Sequence, residues 1–390
     1  MFKNEVAEFI YKRTYSRWIE QEGRREEWPE TIERFIDFLI SKRGKNIPEK
    51  TIRKIRKYMT EFAVMPSMRF LWSSGPAAEK DNTVIYNCSF AKLNCVEAFA
   101  ECLHILMCGT GFGFSVEAEE VEKLPSIPEI KSGKDIARVI IEDSREGWAD
   151  SVKILMNSLY EGQNLYFDYS QLRPEGARLS TMGGRSSGPQ PLIKLHDFLR
   201  ETMHNAQGRK LTTLECHDIA NQIAEIVVAG GVRRSSQISL SDLDDEDMRH
   251  AKDWPFPIRR AMANNSAIYR DQPTAADFLV EWGVLAKSGS GERGIFNLKS
   301  AQNQAPSRRY APLIQGTNPC GEIMLRDMEF CNLSEVVVRE DDDLDTLLDK
   351  VETATWLGVL QSTFTDFPYL RKEWSKNCSV ERLLGVSLTG

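Results

Sequence analysis

The chain has 390 residues, 41% of them hydrophobic and 27% charged, enough to bury a sizeable core and to exclude disorder, collagen-like repeats and low complexity. At roughly 150 residues per domain this length fits two or three domains or one large one. Fifty Lys and Arg against 57 Asp and Glu give a net charge of −7, which speaks against nucleic acid or a membrane surface as partner, since such binders are normally basic.

In chain order, residues 1–65 read as helical, with apolar residues at helical spacing in Ile32, Phe35, Ile36, Phe38 and Leu39 and again in Ile52, Ile55, Met59 and Phe62. Pro66 breaks that pattern. Two strands are expected at Met68–Trp72 and Thr83–Phe90, then a helix over Cys95–Met107 and a glycine-rich turn over 109–113. Residues 121–150 read as a polar connection or short hairpin. Leu165–Asp168 reads as a strand, followed by small-residue loops and a helix from about Pro191 to His204. A second helix starts at Thr212, a good N-cap, and is closed by Gly230 and Gly231. Ile238–Leu240 is a short strand, Asp242–Met248 an acidic turn into a helix, Ala275–Lys287 an amphipathic helix and Gly294–Leu298 a strand. Ile323–Leu325 and Leu333–Val338 flank a loop with two cysteines, and Leu344–Phe364 is a long helix. Short strands alternating with helices predict a parallel α/β architecture.

Eight cysteines are too sparse for a disulfide scaffold, the first 18 residues lack the apolar core of a signal peptide, and no run of ~18 apolar residues could span a membrane. A cytoplasmic protein is expected, with thiols that are unmodified, catalytic or metal-bound.

Three features could carry chemistry. Gly109-Thr-Gly-Phe-Gly113 is not a dinucleotide-binding fingerprint and follows a helix, so close backbone packing explains it better. The loops Gly183–Gly188 and Gly230–Ser236 place backbone N–H groups beside Arg185, Arg233 and Arg234, which suits phosphate recognition or ordinary turns with solvated arginines. The third is Thr317-Asn-Pro-Cys-Gly-Glu322, with a second cysteine, Cys331, eleven residues after Cys320. Zinc would want C-x-x-C pairs or neighbouring histidines, and a cysteine hydrolase would want a histidine partner; neither is present. What remains is thiol redox or radical chemistry, with Glu322 as general base or acid and Asn318 as a hydrogen-bonding positioner.

This string resembles the active-site loop of adenosylcobalamin-dependent (class II) ribonucleotide reductases. Tyr11-Lys-Arg-Thr-Tyr-Ser-Arg-Trp18, Gly23-Arg-Arg-Glu-Glu-Trp28 and Met65-Pro-Ser-Met-Arg-Phe-Leu-Trp72 are similar to the N-terminal region of the monomeric members, which reduce nucleoside triphosphates. Asn87-Cys-Ser-Phe90, Arg173-Pro-Glu-Gly-Ala177, Ser187-Gly-Pro189, Gly231-Val-Arg-Arg-Ser235, Asn264-Asn-Ser266 and Gly294-Ile-Phe-Asn297 extend the likeness. The resemblance implies an N-terminal helical region (1–65), then residues 66–390 as the first half of a ten-stranded α/β barrel with the active-site finger loop and the start of the second half. It implies that Cys320 becomes a thiyl radical abstracting the 3′-hydrogen of the ribose, that Glu322 takes the 3′-hydroxyl proton, and that Asn318 bonds the ribose hydroxyls. Cys88 and Cys331 would be the reducing pair and end as a disulfide. Ser67 and Asn87 would contact substrate, and Arg185, Ser187, Arg233 and Arg234 a deoxynucleotide allosteric effector. Adenosylcobalamin would be the cofactor, with no protein-bound metal, and a thioredoxin-type protein the reductant.

Against the family pattern, the N-terminal regulatory cone and the second half-barrel are expected to be missing, so that a C-terminal half of the same enzyme would be a partner and the chain alone inactive. A large catalytic subunit served by a separate radical-generating subunit would usually carry Leu where Pro319 stands. A non-catalytic nucleotide-binding module would not need Cys88, Asn318, Cys320, Glu322 and Cys331 together.

Overall fold

The computed structural model describes residues 2, 4–131, 137–178, 185–229, 236–289 and 291–390. They form two compact units, one from the described residues of 88–329 and one from the chain up to Asn87 together with Phe330–Gly390.

The middle unit is built on five parallel strands: β1 (Cys88–Lys92), β2 (Gly111–Ser115), β3 (Gln237–Asp242), β4 (Ala263–Ile268) and β5 (Gly294–Phe296). Each pairs with the next in sequence, Cys88 opposite Gly111, Phe112 opposite Gln237, Gln237 opposite Ala263 and Gly294 opposite Ser266. A doubly wound sheet would reverse direction at a switch point. Order that advances one strand at a time is the half-barrel arrangement that the resemblance implies. The crossovers are helices, Val96–Met107 after β1 and Thr213–Ala229 before β3. Val96–Met107 is apolar nearly all round and correspondingly buried. Thr212 caps Thr213–Ala229 as expected, its Oγ1 accepting from Glu215 N at 3.1 Å while Glu215 reaches back to Thr212 N.

Strand β2 corrects one expectation. The glycine cluster is a turn only at Gly109; from Gly111 it is a fully buried strand, with Phe112 and Phe114 in the core. The polar stretch 121–150 is likewise not only a connection. It ends in a long helix, Arg145–Tyr160, capped by Ser144, whose buried face of Val152, Leu155, Met156 and Leu159 packs on Val96–Met107. The expected strand Leu165–Asp168 forms and pairs with Ala137–Ile140. Beside it His196 is fully buried, with Nε2 at 2.9 Å from Ser151 Oγ, Nδ1 at 2.8 Å from Tyr169 OH and Phe167 stacked on the ring.

The other unit carries the helices Glu5–Thr14, Trp28–Arg43 and Glu49–Thr60 within the expected helical region, interrupted by a hairpin of Trp18–Ile19 with Arg24–Arg25. Met68–Trp72 is not the strand its apolar residues suggest but part of a helix, Met68–Ser73. Ser67 Oγ accepts from Phe70 N at 3.1 Å, and that cap decides the local conformation. The expected strand Thr83–Phe90 is split into a 3-10 turn, Asn82–Ile85, and β1. Strand β8 (Glu329–Val337) pairs in parallel with β9 (Leu384–Thr389) and antiparallel with Val64–Met65. Leu388 is 58% exposed, so the apolar ending of the chain forms a strand with an open outer half. Phe330, Tyr86, Phe367 and Trp374 make an aromatic cluster, each side chain contributing roughly 1.5–3 kcal/mol by burial.

His217 gives the middle unit a pH dependence. It is buried between Ser239 Oγ and Asn221 Nδ2, both at 2.9 Å, and burial pushes its pKa down to about 3. The unfolded chain, with an ordinary histidine pKa of ~6.5, takes the proton first, so stability is complete above that value and falls as pH drops towards 3. His217 should contribute ~2 kcal/mol to the stability lost in urea unfolding between about pH 7.5 and about pH 5, beside the loss from the likewise buried His196, and His217→Gln should remove its share of the slope. An unchanged slope in the variant would assign the loss elsewhere.

Candidate active site

The cysteine string folds as a finger. Strands β6 (Ile314–Thr317) and β7 (Met324–Arg326) pair antiparallel, with a bulge between Ile314 and Gly316. At its tip Asn318-Pro-Cys-Gly321 is a β-turn closed by Gly321 N donating to Asn318 O at 3.0 Å. Proline at the second position and glycine, at φ +85°, at the fourth are what such a turn favours. Cys320 is thereby presented outward and exposed, with Glu322 beside it.

Asn318 organises the tip from below. It is fully buried, and its Oδ1 accepts from Ile323 N at 2.9 Å and from Thr317 Oγ1 at 3.3 Å. With Oδ1 committed to these donors, Nδ2 must be the donating end. It donates to Glu322 Oε2 at 2.7 Å and lies 3.7 Å from the sulfur of Cys88, the first residue of β1. One side chain thus bridges the carboxylate beside the exposed thiol and a second, half-buried thiol from 230 residues earlier.

Two glycines seat the finger on the sheet. A Cβ at Gly113 of β2 would lie 2.1 Å from Thr317 O, and one at Gly316 would lie 2.2 Å from the Phe90 ring. The base of the finger is tied by Gln302 Nε2 to Ile314 O and Arg309 Nη1 to Met324 O, both at 2.9 Å, and by Lys92 N to Asp327 Oδ1 at 2.9 Å. Sequence reading assigned close packing to the 109–113 cluster, and Gly113 bears that out. It gave no seating role to Gly316, Phe90 or Asp327, since a glycine, a phenylalanine and an aspartate at ordinary positions carry no such signal.

The remaining expected site residues are less concentrated. Cys331 is buried in β8 of the other unit. Ser67, in that unit too, is a buried helix cap that also donates to Ile85 O and accepts from Gln361 Nε2, both at 3.3 Å. Asn87 has a buried Oδ1 with no hydrogen-bond partner among the described residues, which leaves an acceptor for a ligand. Arg185 folds back on its own loop, Nη1 donating to Gly176 O at 2.9 Å. Ser187 lines a cleft of about 450 Å³ with Glu175, Gln190, Pro191 and Lys194, where Lys194 is paired to Glu225 at 2.5 Å. Arg233 and Arg234, with the rest of 230–235, and residues 183–184 of the other arginine-bearing loop lie outside the described residues.

Comparison with known proteins agrees with this architecture. A family model described as ribonucleotide reductase alpha domain matches residues 1–76, and one described as B12-dependent ribonucleotide reductase, insertion domain, matches residues 116–203. The adenosylcobalamin-dependent ribonucleoside-triphosphate reductase of Levilactobacillus brevis is 28% identical over 99% of this chain and 61% of its own length. That of Lactobacillus gasseri is 30% identical with the same coverage. The crystal structure of a B12-dependent (class II) ribonucleotide reductase superimposes with a TM-score of 0.79 at 26% identity, covering 97% of this chain and 62% of the other. The chain therefore spans about three-fifths of the length of the relatives it matches. In shared sequence and shared fold, the chain is similar to the class II, B12-dependent ribonucleotide reductases.

Proposed function

We propose that this chain carries the radical and acid–base residues for reducing ribonucleotides, in the first instance ribonucleoside triphosphates, to 2′-deoxyribonucleotides in the cytoplasm. The observation that carries the reading is the Asn318 bridge, which holds Glu322 and Cys88 at fixed places around the exposed Cys320. The triphosphate assignment follows the named activity of the relatives.

The residues at the tip fit adenosylcobalamin. Cys320 is exposed, and the Cβ position of Gly321 has nothing within 4 Å, so a bulky partner can approach the thiol. When bound, adenosylcobalamin supplies the one-electron oxidising equivalent for that thiol. The Cys320 sulfur then takes the ribose 3′-hydrogen, and Glu322 accepts the 3′-hydroxyl proton. Asn318 orients the hydroxyls. The 2′-hydroxyl leaves as water while Cys88 and Cys331 give up two hydrogen atoms in total and become a disulfide. The 3′-hydrogen then returns from Cys320. The balance is one ribonucleotide and two thiols to one deoxyribonucleotide, one water and one disulfide. A thioredoxin-type protein resets the pair, a deoxynucleotide effector acts through the loops bearing Arg185, Ser187, Arg233 and Arg234, and Ser67 and Asn87 face substrate. The match of a B12-dependent insertion domain to residues 116–203 disfavours both a subunit served by a separate radical generator and a non-catalytic module.

The test joins this chain to a separately made polypeptide covering the remaining two-fifths of the Lactobacillus gasseri reductase. With adenosylcobalamin and substrate but no external reductant, about one deoxynucleotide should form per chain, and peptide mapping should find a Cys88–Cys331 disulfide in equal amount. Product without that disulfide would remove the pair from the mechanism.

A further inference from the structure

The finger ends in a turn with no glycine where the backbone calls for one. Arg326-Asp327-Met328-Glu329 connects β7 to β8, and Met328 stands at φ +54°. A side chain in that left-handed region crowds its own carbonyl, so the conformation persists only where neighbouring bonds over-determine it. Two carboxylates do so here. Asp327 Oδ1 accepts from Lys92 N at 2.9 Å, and Glu329 Oε2 accepts from Arg326 N at 2.8 Å. Glu329 is fully buried, with Arg309 Nη2 at 3.8 Å from the same oxygen.

The Asp327 bond differs from the other ties at the base of the finger in where it ends. Gln302 and Arg309 hold the two arms from the helix Leu298–Asn303 and the loop after it, whereas Asp327 holds the finger to β1. The same strand supplies the sulfur at the tip, since Cys88 lies 3.7 Å from Asn318 Nδ2. The finger is thus registered on one strand at two points about 13 Å apart, the rise of four extended residues. That strand is stiff. It pairs with β2 from Cys88 opposite Gly111 to Lys92 opposite Ser115, and Lys92 Nζ is locked on the buried Glu120 at 2.7 Å. The arm between the two points is short, with Glu322 five residues before Asp327.

We infer that Asp327 is a positioning residue for the thiol chemistry at the tip. Through Lys92 N it fixes how far the arm bearing Glu322 reaches along β1, and so sets Asn318 and Glu322 against Cys88. It touches no reacting atom. Cys88 counts as a reductant only under the proposed reaction, on which this role rests; the spacing itself is measured without turnover.

The measurement is the rate at which dithiobis(nitrobenzoate) labels Cys88 in the intact chain, resolved by peptide mapping from Cys95, the other half-buried thiol. Asp327→Ala should speed labelling of Cys88 about tenfold or more, because the tip no longer covers the sulfur, and leave Cys95 within about twofold. Mere loosening of the end of β1 would do the reverse, since Cys95 is three residues beyond Lys92 and Cys88 four before it. Asp327→Asn keeps the Oδ1 acceptor and should label as the unaltered chain does. Asp327→Glu keeps the acceptor on a longer stem and should fall between, which serves if Asp327→Ala does not melt cooperatively. Joined to the complementary polypeptide, Asp327→Ala should lose about 10²-fold in kcat with KM little changed, and Asp327→Asn should restore it. Unchanged Cys88 labelling in the alanine and glutamate variants, faster labelling of Cys95 alone, an asparagine variant that behaves as the alanine one, or an unchanged kcat would each overturn the assignment. Faster Cys88 labelling with no turnover even in the unaltered joined protein would uphold the spacing and overturn the reaction instead.

Discussion

Cys320→Ser should abolish ribonucleotide reduction while leaving the fold intact. The side chain sits exposed at the turn tip, so the substitution should change unfolding free energy by no more than ~0.5 kcal/mol. The chemical consequence is of another order. An O–H bond is much stronger than an S–H bond, so the hydroxyl cannot be converted to the radical that removes the 3′-hydrogen. An added barrier of only ~7 kcal/mol already removes ~10⁵-fold in rate. Product formation measured on the chain joined to the complementary segment should therefore fall below detection, with an unchanged melting curve. Turnover retained in the variant would take Cys320 out of the reaction, whatever happened to the disulfide pair.

The second large effect comes from a residue that touches no substrate. Gly113→Ala places a methyl group 2.1 Å from Thr317 O, and the obstacle is backbone. The finger can only lift, carrying Cys320 and Glu322 with it. Overpacking of this kind costs ~1–3 kcal/mol of stability, and a displacement near 1 Å at a reacting group costs ~10²-fold in rate. Gly316→Ala meets the Phe90 ring at 2.2 Å, and a ring can be replaced. Phe90→Leu should therefore recover part of the stability and turnover lost in Gly316→Ala and much less of that lost in Gly113→Ala, where the ring is 3.2 Å away and the backbone obstacle at 2.1 Å remains. A thermodynamic cycle on the two pairs would show the larger coupling, ~0.5–3 kcal/mol, for Gly316 with Phe90. Equal rescue of both glycine variants would mean that the sheet, not the finger, gives way.

The contrast between these glycines also shows what a sequence can carry. The tip was legible because its chemistry is local. Proline and glycine around Cys320 specify a turn, which Asn318 opens and Glu322 follows directly. The seating of the finger was not, because Gly113, Phe90 and Gly316 come from three strands and their meeting depends on register. Local capping misled at Met68–Ser73, where six residues without a strong helical pattern are made helical by Ser67 and by packing of Phe70 and Leu71. Periodicity misled at Ala275–Ser288 for the opposite reason. Its apolar Leu279, Val280 and Trp282 are exposed, and its one buried residue, Glu281, reads as solvated until Arg249 and Arg293 converge on it. The class of fold survived these errors because strand–helix alternation is robust to the loss of one strand.

The Asn318 amide has a consequence for how a ribose enters. Nδ2 has two protons, and with no substrate bound one goes to the Glu322 carboxylate and the other points at the Cys88 sulfur. A sugar hydroxyl can gain this donor only by displacing one of them, and the weaker is the 3.7 Å contact to sulfur. In the reaction proposed above, substrate arrival would be an exchange of partners rather than the filling of a gap. It would release the Cys88 thiol at the moment the hydroxyl takes its place, so that a reductant thiol would be uncoupled from the scaffold only when there is something to reduce.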